Sequence, residues 1–430
     1  MPELALSRAG VAVVEYDEQG VSGVADEVWQ RLEAMADPRA PQGLIYPLAA
    51  LVAAALCAMT ATGHDGLTAV GQWLKHLEHE DLARLRMPAD PWTGELRVPD
   101  EKTIRVVLDR LDPQALVRAV LGPRRRTLAR RRERGRAQWV REYRARRALA
   151  QRTAMVMARI RGISLDGKSA RAARRADGRR IHHLGVVEHI SGRMLGNVQV
   201  DAKHNEVSHF QEVLASVDLQ PGAGPSGDER VTVVTFDALH TVRANLEWLV
   251  TEQKVHYAAV IKKNQPNTYR TTKRLPWKKV PPAVTTRDQG HGRIESRTLK
   301  AVHVEKLGID FPHLRQAIQL TRHRQNVKTG KMSHETIFVV TSLTSFQAGP
   351  AELAALIRGH WTVEVQHHIR DVSFGEDTST SRTGHGQTNL STLRGAVINA
   401  ITDAGYLYIP EGRRDHVRPI DTLYLHGLLE

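Results

Sequence analysis

The stretch that most constrains this chain is Ile163-Ser164-Leu165-Asp166-Gly167-Lys168-Ser169-Ala170-Arg171. Apolar residues alternating with a small polar one lead straight into an acid, which then meets a glycine and a cluster of cations. Alternation of this kind predicts a buried strand, here one that ends by presenting a carboxylate beside positive charge. Val231-Thr232-Val233-Val234-Thr235-Phe236 predicts a second such strand, ending on Asp237. Much later, Glu364 shares a stripe with Ile357, Trp361 and His368, spaced i, i+4, i+7 and i+11 as on one helix face.

Around these acids the chain sorts into an α/β protein. At 430 residues it exceeds what one core usually serves, so two or three domains are expected. Residues 1–120 show helical spacing (Val24, Val28, Leu32 and Met35; the apolar run after Pro47; Leu67 to Leu77; Ile104, Val107 and Leu111) and predict an all-α N-terminal domain. Residues 121–161 predict an Arg-rich helix. From 162 to 262 come the Asp166 strand, strands Ile181–His189 and Arg193–Val200 joined by Ile190-Ser191-Gly192, a helix, the Asp237 strand, a helix and a strand over Tyr257–Ile261. That is the order of an RNase H-like core. Residues 263–342 read as a β-rich insertion, and residues 343–409 resume the core with a helix from Leu353 to Phe374 and another from Asn389 to Ala404. Residues 410–430, dotted with prolines, are expected to be an irregular cover.

Net charge is +14, and its placement matters more than its size. Fifteen arginines, no lysine and two glutamates lie between Arg124 and Arg161, which leaves the remainder near neutral. A basic excess gathered in one segment favours a polyanion such as nucleic acid. A long basic helix carrying Arg124, Arg125, Arg126, Arg131 and Arg132 can neutralise phosphates without reading sequence. The single cysteine, Cys57, excludes a disulfide framework and a Cys-rich zinc site and fits a reducing cytoplasm. The longest apolar run, Tyr46 to Met59, is interrupted by Pro47 and falls short of the ~20 residues that span a bilayer. With no secretory start signal, a cytoplasmic, nucleoid-associated protein without a membrane partner is expected.

Cutting a phosphodiester without a covalent enzyme intermediate needs an activated water and charge neutralisation on the leaving oxygen. Two divalent ions roughly 3.5–4 Å apart supply both. Three acids from separate elements suit Mg²⁺, with Mn²⁺ as the second choice, whereas the same acids packed without metal would repel. Asp166, Asp237 and Glu364 are therefore the candidate catalytic and metal-ligating residues, with Asp371 and Glu376 as rivals for the third place. Singly, each has an ordinary reading: an Asp at a strand end forms turns or caps, a helical Glu sits on the surface, and Lys168 and Arg171 pair with Asp166. His367 and His368 adjoin on a helix, so at most one shares the face of Glu364. Both are read, like His76 and His79, as structural rather than as ligands.

Together these residues resemble the DDE transposases of bacterial insertion sequences, in the ISAs-one group that includes the H-repeat-associated proteins. Leu165-Asp166-Gly167-Lys168 followed by Arg171 is similar to the group's first-acid motif, and Thr235-Phe236-Asp237-Ala238 to its second-acid strand. Val200-Asp201-Ala202-Lys203-His204-Asn205-Glu206 resembles the segment ahead of its core helix, and His291-Gly292-Arg293-Ile294-Glu295-Ser296-Arg297 its inserted region. Ile261-Lys262-Lys263-Asn264-Gln265-Pro266 is similar to its Lys-Gly-Asn-Gln stretch, with Lys263 in the place of the glycine. Arg358-Gly359-His360-Trp361-Thr362-Val363-Glu364 resembles the third-acid helix and Val372-Ser373-Phe374-Gly375-Glu376-Asp377 its continuation. Val365 stands where the group has Asn, and His360 and Asp371 take the Arg and Lys positions of the wider Tyr-Arg-Glu-Lys signature.

The resemblance implies an RNase H-like catalytic domain behind a helical transposase-associated domain. It also implies Mg²⁺-dependent cleavage at the inverted-repeat ends of an element and strand transfer into target double-stranded DNA, by a homodimer or higher oligomer. Lys168, Arg171, Arg174, Arg175, Lys262, Lys263, Asn264, Gln265, Arg293 and His360 are expected to contact that DNA. A domesticated DNA-binding regulator without catalysis, and a nuclease that does not join strands, are the alternatives.

Overall fold

The computed structural model describes residues 14–15, 24–42, 44–122, 130–131, 137–200, 203–220, 230–290, 292–305 and 307–429. A two-residue strand β1 (Val14–Glu15) is followed by six helices: α1 (Val24–Glu33), α2 (Leu48–Thr60), α3 (Leu67–Lys75), α4 (His79–Arg84), α5 (Glu101–Arg110) and α6 (Pro113–Leu121). Every residue of α2 is buried, as its all-round apolar sequence requires, and the other helices pack around it. Asp100 and Asp112 start α5 and α6 by accepting the backbone N–H groups of Lys102, and of Gln114 and Ala115.

The Arg-rich segment departs from the expected long helix. Strand β2 (Arg130–Arg131) pairs antiparallel with β1, and helix α7 (Ala137–Val156) begins only afterwards. Arg124, Arg125, Arg126 and Arg132 lie outside the described residues, as does the side chain of Arg131.

One sheet of nine strands follows: β3 (Ile160–Arg174), β4 (Arg180–Glu188), β5 (Met194–Val200), β6 (Val231–Phe236), β7 (His256–Ile261), β8 (Val284–Gly290), β9 (Arg293–His303), β10 (Gln316–Asn326) and β11 (Met332–Thr341). Their order is β5-β4-β3-β6-β7-β11-β10-β9-β8. β5, β4 and β3 are antiparallel neighbours, β3, β6 and β7 run parallel, and β11 joins β7 antiparallel. The stretch expected to be a separate insertion thus extends the same sheet. It also contains a helix, α10 (Pro266–Arg274), opened by a proline in its first turn.

Alternation along each strand sends successive residues to opposite faces. On one face Ile163, Leu165, Val234 and Phe236 meet Phe210 and Leu214 of α8 (Phe210–Ala215) and Leu246 and Leu249 of α9 (Arg243–Thr251). On the other, Ile160, Val233 and Ala258 meet Leu353 and Leu356 of α11 (Pro350–Gly359). The single helix expected from Leu353 to Phe374 is broken at His360 and Trp361, after which α12 (Thr362–Phe374) crosses β3 and β4.

Helix α13 (Gly386–Asp403) is buried without interruption from Gly386 to Ile401 because it runs among α2, α5 and α6. The tail forms two helices, α14 (Ile409–Asp415) and α15 (Pro419–Leu425), rather than an irregular cover. Pro410 and Pro419 fall in the first turn of each, where a missing N–H costs nothing, and Ile409, Leu423 and Leu425 join the helical core.

Candidate active site

Parallel pairing of β3 with β6 ends at Leu165 and Phe236, so Asp166 and Asp237 each follow the last paired residue. β3 itself does not stop at Asp166, as its sequence suggested. It continues to Arg174 because the residues after the acid pair with β4. Asp237 caps the one-turn helix Ala238–His240, its carboxylate accepting the N–H of Leu239 at 2.8 Å.

Glu364, in the first turn of α12, is brought to Asp166. One oxygen of each, with one ring nitrogen of His367, lie within 4.8 Å of one another. Asp237 is not in that trio, but its charge acts on Asp166. Burial, and next the neighbouring Glu364, push the Asp166 carboxyl up to about 7, with Asp237 and Glu206 adding to the rise and the N–H of Gly167 opposing it. Among the described residues, no lysine or arginine lies within ion-pairing distance of Asp166 or Glu364.

His367 is the residue the sequence reading set aside. Its only sequence signal is the i, i+3 spacing from Glu364, which does place the two on one face. The stripe that pointed to Glu364 is not a buried one: the helix breaks within it, Trp361 is 60% exposed, and Glu364 and His368 are exposed too.

Buried and half-buried histidines brace the strands that carry the acids. The ring of His189 fills the space between Gly162 on β3 and Gly359 at the end of α11, and a Cβ at either glycine would overlap it. Its Nε2 lies 3.0 Å from the hydroxyl of Thr235 on β6, which is in turn 3.2 Å from Nδ1 of His360. Burial holds His189 down at about 3 and His360 at about 4, so both rings are neutral. On the other side of Asp166, the carboxylate of Glu206 sits against Gly167 and accepts from His182, whose Nδ1 meets the hydroxyl of Ser169 at 2.7 Å. Burial would raise Glu206, but hydrogen bonds from His182 and His240 outweigh it and hold the group at about 2.

Several residues expected to touch DNA are engaged within the chain. Lys168 is buried and paired with Asp371 at 2.7 Å and Asp377 at 3.4 Å, not with Asp166. Arg171, largely exposed, pairs with Asp377 at 3.0 Å. Asn264 donates its amide to the carbonyl of Ala238, and Gln265 to that of Thr241 at 2.8 Å, so both hold the turn behind Asp237. His360 is turned inward and uncharged, which removes it as a phosphate cation. Lys262, Lys263 and Arg293 are exposed, Arg174 is exposed while donating to the carbonyl of Gly178, and Arg175 is half-buried. The rival third acids are also engaged: Asp371 by Lys168, and Glu376, fully buried, by Arg370 at 3.7 Å and Arg394 at 3.5 Å.

A mixed α/β fold that sets acids at adjoining strand ends, faced by a glutamate from a later helix, defines a class that known proteins share. The family described as Transposase DDE domain matches residues 157–400, and that described as DDE_Tnp_1-associated matches residues 29–122. The chain belongs to the DDE transposases.

Distant relatives include proteins that are named as transposases. The chain is similar to YncI of Escherichia coli O157:H7, which carries a transposase name, at 24% identity over 283 residues, covering 62% of this chain and 68% of YncI. It is also 24% identical over 279 residues to YhhI of Escherichia coli K12, whose name ties it to the H repeat, and to YbfL of the same strain, in each case covering 62% of this chain and 71% of the relative.

Proposed function

We propose that this transposase cuts DNA at the terminal inverted repeats of an insertion sequence and transfers the freed ends into target DNA, using an RNase H-like core. The observation that carries the reading is the approach of Asp166 and Glu364 to one another, with burial and then the charge of Glu364 driving the Asp166 carboxyl up to about 7. The strand order, three antiparallel strands followed by two parallel ones, supports an RNase H-like assignment. The donor set fits a divalent cation: carboxylate oxygens from Asp166, Asp237 and Glu364 suit Mg²⁺. Bound there, such ions would activate water and neutralise the leaving oxygen.

The chain's own residues do the rest. Asp166 and Asp237 hold position because they terminate a paired region of sheet, and Glu364 because Thr362 and Gln366 fasten α12 to the carbonyls of His189 and Gly192 at 3.3 and 2.6 Å. Lys262, Lys263, Arg174 and Arg293 offer exposed charge to phosphates, as do the exposed arginines of α7, Arg147 and Arg152.

The test uses purified protein, Mg²⁺ and duplexes that carry the element's ends. Asp166→Ala, Asp237→Ala and Glu364→Ala are each expected to abolish nicking while duplex binding changes less than about threefold. Normal nicking by any one of the three would remove that residue from the site. Nicking without joining of pre-cut ends would favour the nuclease alternative.

A further inference from the structure

The proposed site leaves one group in it without a task. His367 is 8% exposed, its Nδ1 is 3.9 Å from a carboxylate oxygen of Asp166, and a ring nitrogen lies within the 4.8 Å cluster with Asp166 and Glu364. It makes no hydrogen bond among the described residues, although the residue is buried. Buried imidazoles are normally hydrogen-bonded, and this one faces two carboxylates instead. Its helix is held in place beside it, since Gln366 donates to the carbonyl of Gly192 at 2.6 Å.

We propose that His367 is a direct ligand of the divalent ion held by Asp166 and Glu364, and that this mixed oxygen and nitrogen set makes the site prefer Mn²⁺ to Mg²⁺. Mg²⁺ demands hard oxygen donors and keeps its waters, so a nitrogen adds little to its binding. First-row transition ions gain from imidazole, and Mn²⁺ accepts both donor types. Glu364 and His367, one helical turn apart on α12, present oxygen and nitrogen from a rigid element, with Asp166 facing them from the sheet.

The inference rests on the metal-dependent reading above, and the experiment separates the two. The full chain is titrated with Mn²⁺ and, separately, with Mg²⁺. Affinities are measured calorimetrically, and bound Mn²⁺ is examined by pulsed electron paramagnetic resonance for coupling to a coordinated nitrogen. The wild type is expected to show nitrogen coupling, and His367→Gln to lose it. Mn²⁺ affinity should fall roughly tenfold in that variant, with Mg²⁺ affinity changed less than about threefold. Bound Mn²⁺ without nitrogen coupling in the wild type overturns the role of His367 alone, and that measurement needs no variant to fold. Persistence of the coupling in both His367→Gln and His367→Asn overturns it as well, as does an equal loss of both ions, which would mark a merely structural residue. Failure of both ions to bind the wild type sinks the metal-dependent reading along with it.

Discussion

A carboxyl group that titrates near neutrality leaves a signature in stability. The folded-state value for Asp166, about 7, lies above its ordinary 3.8, so folding favours the protonated form. That contribution is present in full below pH ~4 and is lost as pH rises through ~7, a change of about 4 kcal/mol. Without metal, Asp166→Asn is therefore expected to melt at the same temperature as the wild type near pH ~4 and several degrees higher above pH ~7. A divalent ion should raise the melting temperature of the wild type and not that of the variant. The buried histidines act in the opposite direction: His183 and His189, at about 3, and His360, at about 4, contribute stability above pH 6.5 that is lost as pH falls toward those values. Only the difference between variant and wild type isolates Asp166, and thermal melts across this range measure it. A difference that does not change with pH would contradict the assignment. Sequence points to Asp166 and Asp237 because strand alternation runs directly into both, and the structure brings Asp166 to Glu364. His367 was not legible there, since a lone i, i+3 spacing is common to surface and site alike, and only folding α12 onto β3 turns its ring inward. Sequence shows that Lys168 lies two residues after Asp166 and that Asn264 follows a strand, but not that Asp371 and the carbonyl of Ala238 take them up.

At the scale of elements, the site depends on how closely α11 and α12 approach the sheet. The ring of His189, held between two glycines, sets that spacing. Gly359→Ala is expected to destabilise the protein by about 1–3 kcal/mol through overpacking. In a His189→Ala background the same change should cost much less, because the space it needs has been vacated. A double-mutant cycle on denaturant midpoints measures the coupling, and simple additivity would show that the glycine is not there to admit the ring. Most strands and the first helices were readable from periodicity. The break at His360 and Trp361 was not, since neither residue is a breaker and the interruption comes from docking against β3 and β4. The prolines of the tail read differently in the structure: at Pro410 and Pro419 the ring opens a helix, and only the apolar residues nearby distinguish that use from a loop.

For the whole molecule, the division into consecutive domains gives way to a core assembled from both ends of the sequence. Helix α13 lies among the first helices, with Asn389 donating to the carbonyls of Leu108 and Leu111 at 2.8 and 2.9 Å. Arg413 meets Asp65 at 2.5 Å, and Trp29 donates to the carbonyl of Leu428 at 3.1 Å. Residues 1–122 expressed alone are expected to remain molten or to aggregate, because the apolar faces that α13 covers would be open to water. Joining residues 386–429 to that fragment through a flexible linker should restore a cooperative melt; a cooperative melt of the short fragment by itself would show that α13 is dispensable. Sequence could not reveal this arrangement, because periodicity reports which face of a helix is apolar and not which distant helix covers it.

The path of α13 also sets a timetable for the protein as it is made. The faces of α2, α5 and α6 have no lasting cover until some 260 residues later in the chain, and the polypeptide that supplies it follows the glutamate-bearing helix. Closure of that helical core and anchoring of the segment after the glutamate-bearing helix are one event. A nascent chain interrupted before α13 would carry the strand acids with its helical core still open.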